Sequence, residues 1–182
     1  MRFTCQQCAA DFHRDRPGRS PRFCTSRCRQ RAHRARQLPY AMTSVARWAA
    51  RIGKRPVQVG GRSASPIDPR TWTTFDRVKH LPHGVMLGDG LACLDLDHCL
   101  QGDVLAPWAV DAITQLPAGS IIYTERSMSG DGVHVFHRAP EAPGRRRVVG
   151  GGAVETYSRA RFIAVTGDRF EIEGTVGASA AS

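Results

Sequence analysis

This 182-residue sequence has no long apolar run and only two lysines, Lys54 and Lys79. None of its apolar stretches approaches the roughly 20 residues that a membrane-spanning helix needs. The first residues, MRFTCQQC, lack the apolar segment of a secretory signal. We therefore expect a cytoplasmic protein with no membrane partner. In a reducing compartment its six cysteines are expected to be metal ligands or buried thiols rather than disulfides.

Acidic residues are scarce in the first third of the chain. Residues 1–55 contain 14 Lys and Arg but only Asp11 and Asp15, whereas the remainder is nearly neutral, so the net charge of +10 resides at the N-terminus. Nearly all of these cations are arginines, whose planar guanidinium group suits phosphate. This pattern indicates contact with nucleic acid. A solvated basic tail is the alternative interpretation.

The cysteine spacing favours a folded basic module over a tail. Cys5 and Cys8 are separated by two residues, and Cys24 and Cys28 by three, so that each pair can chelate one edge of a tetrahedral ion. Four thiolates make a closed structural Zn²⁺ site with no open position for chemistry. Coincidental or redox-active cysteines are the alternative. We expect residues 1–38 to form this zinc-binding module, with the metal supplying much of its folding free energy.

A basic helix is predicted directly after the third cysteine. Thr25 or Ser26 can cap it, and the segment Leu38–Tyr40 ends it. Modules of this type also mediate protein contacts, so DNA binding is one of two possible roles. The candidate DNA-binding residues are Arg29, Arg31, Arg34 and Arg36.

The body, residues 39–173, is predicted to be an α/β (α+β) domain with an antiparallel or mixed sheet, because its strands are not separated by regular helices. Residues 174–182 are small and polar and are expected to be a disordered tail. Helices are predicted over residues 41–51, after Asp68-Pro69, and over residues 106–116. A hairpin is predicted over residues 84–97 and a basic loop at residues 145–147. Further strands are predicted at residues 121–123, 133–135, 153–157 and 162–165.

Three segments of the body combine residues that can carry chemistry. Asp95 and Asp97 share one face of a strand, because side chains alternate with period two, and paired carboxylates can bind Mg²⁺ or Mn²⁺. His134 follows a glycine-rich turn that could approach an anion, and Glu155 could be a third metal ligand. Each segment alone also has an ordinary structural interpretation. Their order along the chain is typical of two-metal phosphoryl transfer.

Taken together, these segments resemble the three motifs of the archaeo-eukaryotic primase superfamily. Four sequences carry the resemblance, which covers roughly residues 43–170: KRPVQVGGRSASPIDPRTWTTF, LACLDLDHC, YTERSMSGDGVHVF and VETYSRARFIAVTG. The chain is most similar to the N-terminal primase/polymerase domain of phage and plasmid bifunctional primase-polymerases. The resemblance implies an RRM-like antiparallel sheet packed with a second αβ unit around a catalytic cleft. It also implies DNA primase or polymerase activity in phage or plasmid replication within a bacterial host cell.

The resemblance assigns roles to residues by their position in the motifs. Asp95, Asp97 and Glu155 would hold catalytic Mg²⁺ or Mn²⁺, and His134 would hold the triphosphate of the incoming nucleotide. The further candidates for nucleotide binding are Ser129, Gly130, Gly132 and Arg161. The implied partners are a single-stranded DNA template and nucleoside triphosphates. Since the sequence ends soon after the third motif, either a separate replicative helicase is a further partner or the chain is a minimal polymerase.

Two other functions fit parts of the pattern. One is a metal-dependent nuclease or nickase, because His134 and His137 superficially resemble a His-x-His element. The spacing differs by one residue, so a regular strand would point the two rings to opposite faces. The other is a zinc-dependent DNA-binding protein in which the acidic cluster is only structural.

Overall fold

The computed structural model describes residues 2–6, 8–13, 20–35 and 37–172, with the backbone alone for residues 31–35. The chain divides into two compact units, Met1–Gln37 and Leu38–Ser182. We call the first the cysteine module and the second the body. The predicted tail, residues 174–182, lies outside the described residues. Within the described ranges, no helix has the length and apolar character needed to cross a bilayer.

The cysteine module consists of a small hairpin and one helix. Strands β1 (Arg2–Thr4) and β2 (Asp11–His13) pair antiparallel, and helix α1 spans Ser26–Ala35. The Thr25 hydroxyl accepts a hydrogen bond from the Cys28 backbone N–H at 3.1 Å. This bond caps the helix, as predicted for one of the two candidate residues.

The body contains eleven strands, three short α-helices and one 3₁₀ turn among its described residues. In chain order they are α2 (Tyr40–Thr43), β3 (Trp48–Ile52), β4 (Arg55–Val57), the 3₁₀ turn Pro69–Thr71, α3 (Phe75–Val78), β5 (His83–Met86), β6 (Leu91–Asp97), β7 (Leu100–Gln101), β8 (Val104–Leu105), α4 (Pro107–Thr114), β9 (Ile121–Arg126), β10 (Val133–Arg138), β11 (Arg145–Val149), β12 (Gly152–Tyr157) and β13 (Phe162–Val165).

Two antiparallel sheets form the framework of the body. The larger has the strand order β11-β12-β6-β10-β9, and the smaller has the order β13-β5-β3-β4. One hydrophobic cluster joins them and includes Trp48, Val85 and Ile163 from the smaller sheet and Cys93 and Phe136 from the larger. Helix α4 covers the opposite face of the larger sheet through a second cluster. The body is therefore a mixed α+β unit, rich in sheet and poor in helix.

The hairpin predicted over residues 84–97 is wrong. Strand β5 pairs with β3 and β13, and β6 pairs with β10 and β12, so neither strand has a free edge for the other. A single bridge between Gly88 and Leu91 closes the turn between them. The turn therefore passes the chain from one sheet to the other.

The predicted helix over residues 41–51 is also wrong. Helix α2 ends at Thr43, and β3 begins at Trp48. The indole N–H of Trp48 donates to the Met42 carbonyl at 3.1 Å, whereas Ile52 is 61% exposed. The helix was predicted from the spacing of Val45, Trp48 and Ile52, and these residues do not form one buried helical face.

Two smaller differences concern polar segments. Arg145–Arg147 was expected to be a loop but forms the start of the exposed edge strand β11, where charged side chains stay in water. Asp68 caps the 3₁₀ turn Pro69–Thr71 by accepting the Arg70 backbone N–H at 3.1 Å. The helical segment that follows is the short α3 rather than one continuous helix.

Candidate active site

A row of polar side chains crosses the larger sheet on the face that packs against the smaller one. The antiparallel register pairs Arg146 with Glu155, Glu155 with Asp95, Asp95 with His134, and His134 with Glu125. Directly paired residues of neighbouring strands project to the same face. These five residues, which we call the polar row, therefore lie side by side across five strands.

A cavity of about 310 Å³ opens over the middle of the polar row. Asp95, Asp97 and His134 line it from the larger sheet, and Phe162, Ile163 and Ala164 of β13 line it from the smaller sheet. The other lining residues are Lys54, Pro56, Pro66, Ser127, Met128 and Arg161. Four of the residues predicted from sequence, Asp95, Asp97, His134 and Arg161, thus meet in one cleft between the two sheets.

Asp95 is the least satisfied member of the polar row. Its side chain is only 15% exposed, and its Oδ1 atom has no hydrogen-bond partner among the described residues. Burial raises the pKa of Asp95 despite the opposing effect of His134, and the charges of Asp97 and Glu155 raise it further. A cation next to Asp95 and Asp97 would relieve both the repulsion and the missing interaction.

Glu155 is held by its neighbours in this structure. Its carboxylate accepts hydrogen bonds from Arg146 Nε and from the Tyr157 hydroxyl, both at 2.7 Å. Arg161 lies 3.9 Å from the same carboxylate. Burial and the hydrogen bond to Glu155 raise the pKa of Tyr157. The structure thus places Glu155 beside Asp95 but compensates its charge with arginine.

The ligand atoms of Asp95, Asp97 and Glu155 do not converge on one point. Among the described side chains, only the four cysteines bring three or more potential ligand atoms within 4.8 Å of one another. Asp95 and Asp97 both line the cavity, whereas Glu155 lies at its border without lining it. A three-carboxylate metal site would require the Glu155 carboxylate to move closer to Asp95 and Asp97.

His134 connects Asp95 to a residue that the sequence did not reveal. Its Nδ1 atom lies 3.0 Å from Glu125 Oε1, and its Nε2 atom lies 3.6 Å from Asp95 Oδ1, beyond normal hydrogen-bond distance. Glu125 is completely buried. One signal in the sequence could have identified it. Glu125 is two residues from the apolar Tyr123, so both side chains point to the same buried face of strand β9.

The glycine-rich loop is placed differently from the expectation. Its Ser127 and Met128 line the cavity, whereas Ser129, Gly130 and Gly132, all described, do not. The Ser129 hydroxyl instead contacts Ser127 Oγ at 2.9 Å and donates to Asp131 at 2.5 Å. A Cβ atom at position 132 would approach the Leu96 carbonyl oxygen to 2.7 Å, so this glycine permits close packing against β6.

Two cations lie at the cavity. Arg161 stacks over the Tyr157 ring with 4.3 Å between its guanidinium carbon and the ring centroid, and its side chain is about half exposed. Lys54, in the turn between β3 and β4, is exposed and stabilises the charged form of Asp95. Lys54 is a second site residue that the sequence did not single out, because isolated exposed lysines carry no pattern.

The cysteine module brings its four cysteines together. The Sγ atoms of Cys5, Cys8, Cys24 and Cys28 all lie within 4.8 Å of one another, with 3.6 Å between Cys8 and Cys24 and 3.5 Å between Cys24 and Cys28. Hydrogen bonds with the Cys28 and Cys5 thiols raise the pKa of Cys24 to about 12. A bound cation would displace these thiol protons. The cluster is therefore a possible metal site, and its all-sulfur ligand set suits zinc.

A groove of about 690 Å³ runs beside the cysteine cluster and is lined by Phe12, Phe23, Arg22 and Arg29 among others. Of the four candidate DNA-binding arginines, Arg29 is exposed on α1 at this groove. The side chains of Arg31 and Arg34 and the whole of Arg36 lie outside the described part of the chain.

Comparison with known proteins gives one relative and no family assignment. No family model matches the chain. The chain is similar to the DNA primase-polymerase of Nitratiruptor phage NrS-1, with 27% identity over 150 residues. The match covers 72% of this chain but only 20% of the phage protein. The relative is of the kind that the sequence motifs resemble, and the chain spans about one fifth of its length.

Proposed function

We propose that the chain catalyses template-directed nucleotidyl transfer, as a DNA primase, a DNA polymerase or both, in phage or plasmid replication. The observation that carries the proposal is the convergence of Asp95, Asp97 and His134 on the cavity between the two sheets. The similarity to a phage DNA primase-polymerase supports it independently. In the finer description of the fold, the larger sheet would be the RRM-like sheet, and the smaller sheet would belong to the second αβ unit.

The donor set of the cavity fits a hard divalent cation. Asp95 and Asp97 offer carboxylate oxygens from one rigid strand, and the Oδ1 atom of Asp95 lacks a partner among the described residues. Bound Mg²⁺ or Mn²⁺ would supply activation of the primer 3′-hydroxyl and charge stabilisation at the α-phosphate and the leaving pyrophosphate. Asp95 and Asp97 would hold it, with Glu155 as the third ligand.

Glu155 would change its partners to become this third ligand. In the free protein its carboxylate is bonded to Arg146 and Tyr157. A substrate phosphate that pairs with Arg146 would free Glu155 for the cation beside Asp95. Arg146 would then contact the nucleic acid backbone, which suits its place on an exposed edge strand.

The remaining cavity residues would bind and orient the nucleotide. His134, Lys54 and Arg161 surround the carboxylate pair and would offset the charge of the triphosphate. Ser127 and Met128 line the cavity and would contact the nucleotide directly. The adjoining turn with Ser129, Gly130 and Gly132 would hold these two residues in place.

The cysteine module would hold the single-stranded template. Zinc bound by the four cysteines would fix the fold, and Arg29 with Arg31, Arg34 and Arg36 would contact phosphates. The phenyl rings of Phe12 and Phe23 in the groove beside Arg29 could stack on bases.

Primer extension tests the proposal. The protein is incubated with Mg²⁺ or Mn²⁺, dNTPs or NTPs, and either primed or unprimed single-stranded DNA. We expect extension of the primer, and a loss of about 10³-fold in the Asp95→Asn/Asp97→Asn variant, because several kcal/mol of charge stabilisation would disappear. The control is Asp111→Asn, which removes an exposed carboxylate from α4, on the opposite face of the sheet.

The same assay separates the alternatives. Products on unprimed template indicate primase activity, and extension alone indicates a polymerase. Cleavage of labelled single strands without nucleotides would favour the nuclease, although His137 is buried outside the cavity lining, with a pKa lowered by its burial. DNA binding without metal-dependent turnover would favour the zinc-dependent DNA-binding protein.

A further inference from the structure

Glu125 is a completely buried carboxylate in the middle of the body. Burying an ionised carboxylate is costly unless hydrogen bonds compensate it. Here the backbone N–H of Thr166 lies 3.1 Å from both carboxylate oxygens, and that of Gly167 donates to Oε2 at 2.9 Å. The fourth contact is His134 Nδ1 at 3.0 Å from Oε1.

The environment of Glu125 determines where His134 carries its proton. All the polar groups that the structure places against Glu125 other than His134 are N–H donors, so the carboxylate acts as an acceptor. An acceptor 3.0 Å from Nδ1 requires a proton on that nitrogen. This holds for both the neutral ring and the imidazolium, and it leaves Nε2 as the atom that faces Asp95 and the cavity.

We propose that Glu125 is a positioning residue that fixes the ring orientation and the Nδ1 proton of His134, so that Nε2 meets the substrate. This inference rests on the proposed function, in which His134 contacts the nucleotide. Glu125 itself does not reach the cavity. It acts from β9 through the neighbouring strand β10, and its bonds to Thr166 and Gly167 anchor it just after β13.

The proton position can be measured without any enzymatic activity. Long-range ¹H–¹⁵N correlation spectra of the full-length, metal-loaded protein at neutral pH distinguish a protonated from a bare nitrogen in each of the seven histidines. The His134→Gln variant assigns the signals of His134. We expect a protonated Nδ1, and a bare Nδ1 would overturn the proposal.

Kinetics then test whether the position matters. Glu125→Gln replaces one acceptor oxygen by an NH2 group, which only donates hydrogen bonds, so the glutamine cannot accept from all the former donors of Glu125. We expect kcat/KM to fall by about 10–100-fold, by analogy with the loss that follows removal of the hydrogen-bond partner of a metal-ligating histidine. In the His134→Gln background, the same change should cost less than about twofold, because the effect passes through His134.

A purely structural role for Glu125 predicts an equal loss in both backgrounds, and that result would contradict the proposal. Glu171→Gln, at an exposed position, is the matched control and should leave kcat/KM unchanged. Full activity of His134→Gln would refute the proposed role of His134 rather than the proton assignment. If Glu125→Gln does not fold, the spectrum of the wild-type chain still decides.

Discussion

The cysteine module and the body differ in what occupies their interiors. Among the described side chains of the module, the buried ones are Cys5 and Cys28, two of the potential metal ligands. The body instead buries continuous apolar clusters on both faces of its larger sheet. Because a module that buries so little apolar surface gains little from the hydrophobic effect, we expect metal to stabilise the first unit and packing to stabilise the second.

Removing the metal should break this comparison most strongly. A chelator, or Cys8→Ser, should unfold the module, because structural zinc contributes on the order of 10 kcal/mol to such sites. The module should become sensitive to trypsin at its many arginines. All three tryptophans, Trp48, Trp72 and Trp108, lie in the body, so their emission should not change.

The control for this experiment is Cys99→Ala, which alters a buried cysteine of the body. It should leave the zinc content, measured by mass spectrometry, unchanged. A loss of the tryptophan signal on chelation would mean that the body also depends on the metal.

Truncating the apolar core should affect only the body. Ile113 is 2% exposed on α4, and Ile113→Ala should lower the free energy of unfolding by about 2–5 kcal/mol. Val110→Ala, at a 41% exposed position of the same helix, should cost less than about 0.5 kcal/mol. Denaturant unfolding followed by tryptophan emission measures both. An altered zinc content in Ile113→Ala would contradict the separation of the two units.

Neutralising Asp95 should stabilise the body, because the buried charge of this residue lowers the free energy of unfolding. Burial raises the pKa of Asp95, so the folded state disfavours its ionised form. At neutral pH, without divalent cations, Asp95→Asn should raise the Tm by about 2–4 °C. The gain should disappear as the pH falls below the ordinary aspartate value of about 3.9, where both states are protonated.

Divalent cations should reverse this difference. Mn²⁺ should raise the Tm of the wild-type chain, because a ligand that binds only the folded state stabilises it. It should have less effect on Asp95→Asn. Calorimetry at neutral pH and at a pH below about 3.9, with and without Mn²⁺, tests the prediction. A Tm of Asp95→Asn below that of the wild-type chain at neutral pH, without Mn²⁺, would contradict an unfavourable buried charge.

The smallest effect should come from a single phosphate contact of the module. Arg29→Gln should weaken single-stranded DNA binding and reduce the slope of log K against log salt by about one. Arg77→Gln removes the same charge from an exposed position of the body and serves as the control. Fluorescence anisotropy over a salt series compares them, and equal slopes for both variants would argue against a template role for Arg29.

Sequence reasoning was most successful for features that depend on neighbouring residues. The strands that contain Asp95, His134 and Glu155, and the helix that contains Ile113, follow from local apolar patterns. The prediction of a hairpin over residues 84–97 failed because strand pairing depends on more than neighbouring residues. A turn signal shows that the chain reverses, but not whether the two strands have free edges with which to pair.

Sequence reasoning named only some of the residues at the cavity, and the residues that it missed share a physical cause. Asp95, Asp97, His134 and Arg161, all candidates from sequence, line the cavity. The residues that were missed come from other strands or turns: Glu125 contacts His134, Arg146 contacts Glu155, and Lys54 lines the cavity. Glu125 was recognised in the structure through its pairing with His134. Ser129, expected in the site, does not line the cavity, and its hydroxyl bonds within its own loop.

The sequence by itself determined what lies within a few residues along the chain. Short spacings made two chelating pairs of cysteines, and the period of two placed Asp95 and Asp97 on one face. Only the tertiary structure decided the register across five strands, which sets His134 and Glu155 on either side of Asp95 and Glu125 behind His134. Register depends on which strand edges are occupied and which apolar faces pack together, and these are interactions between distant parts of the chain.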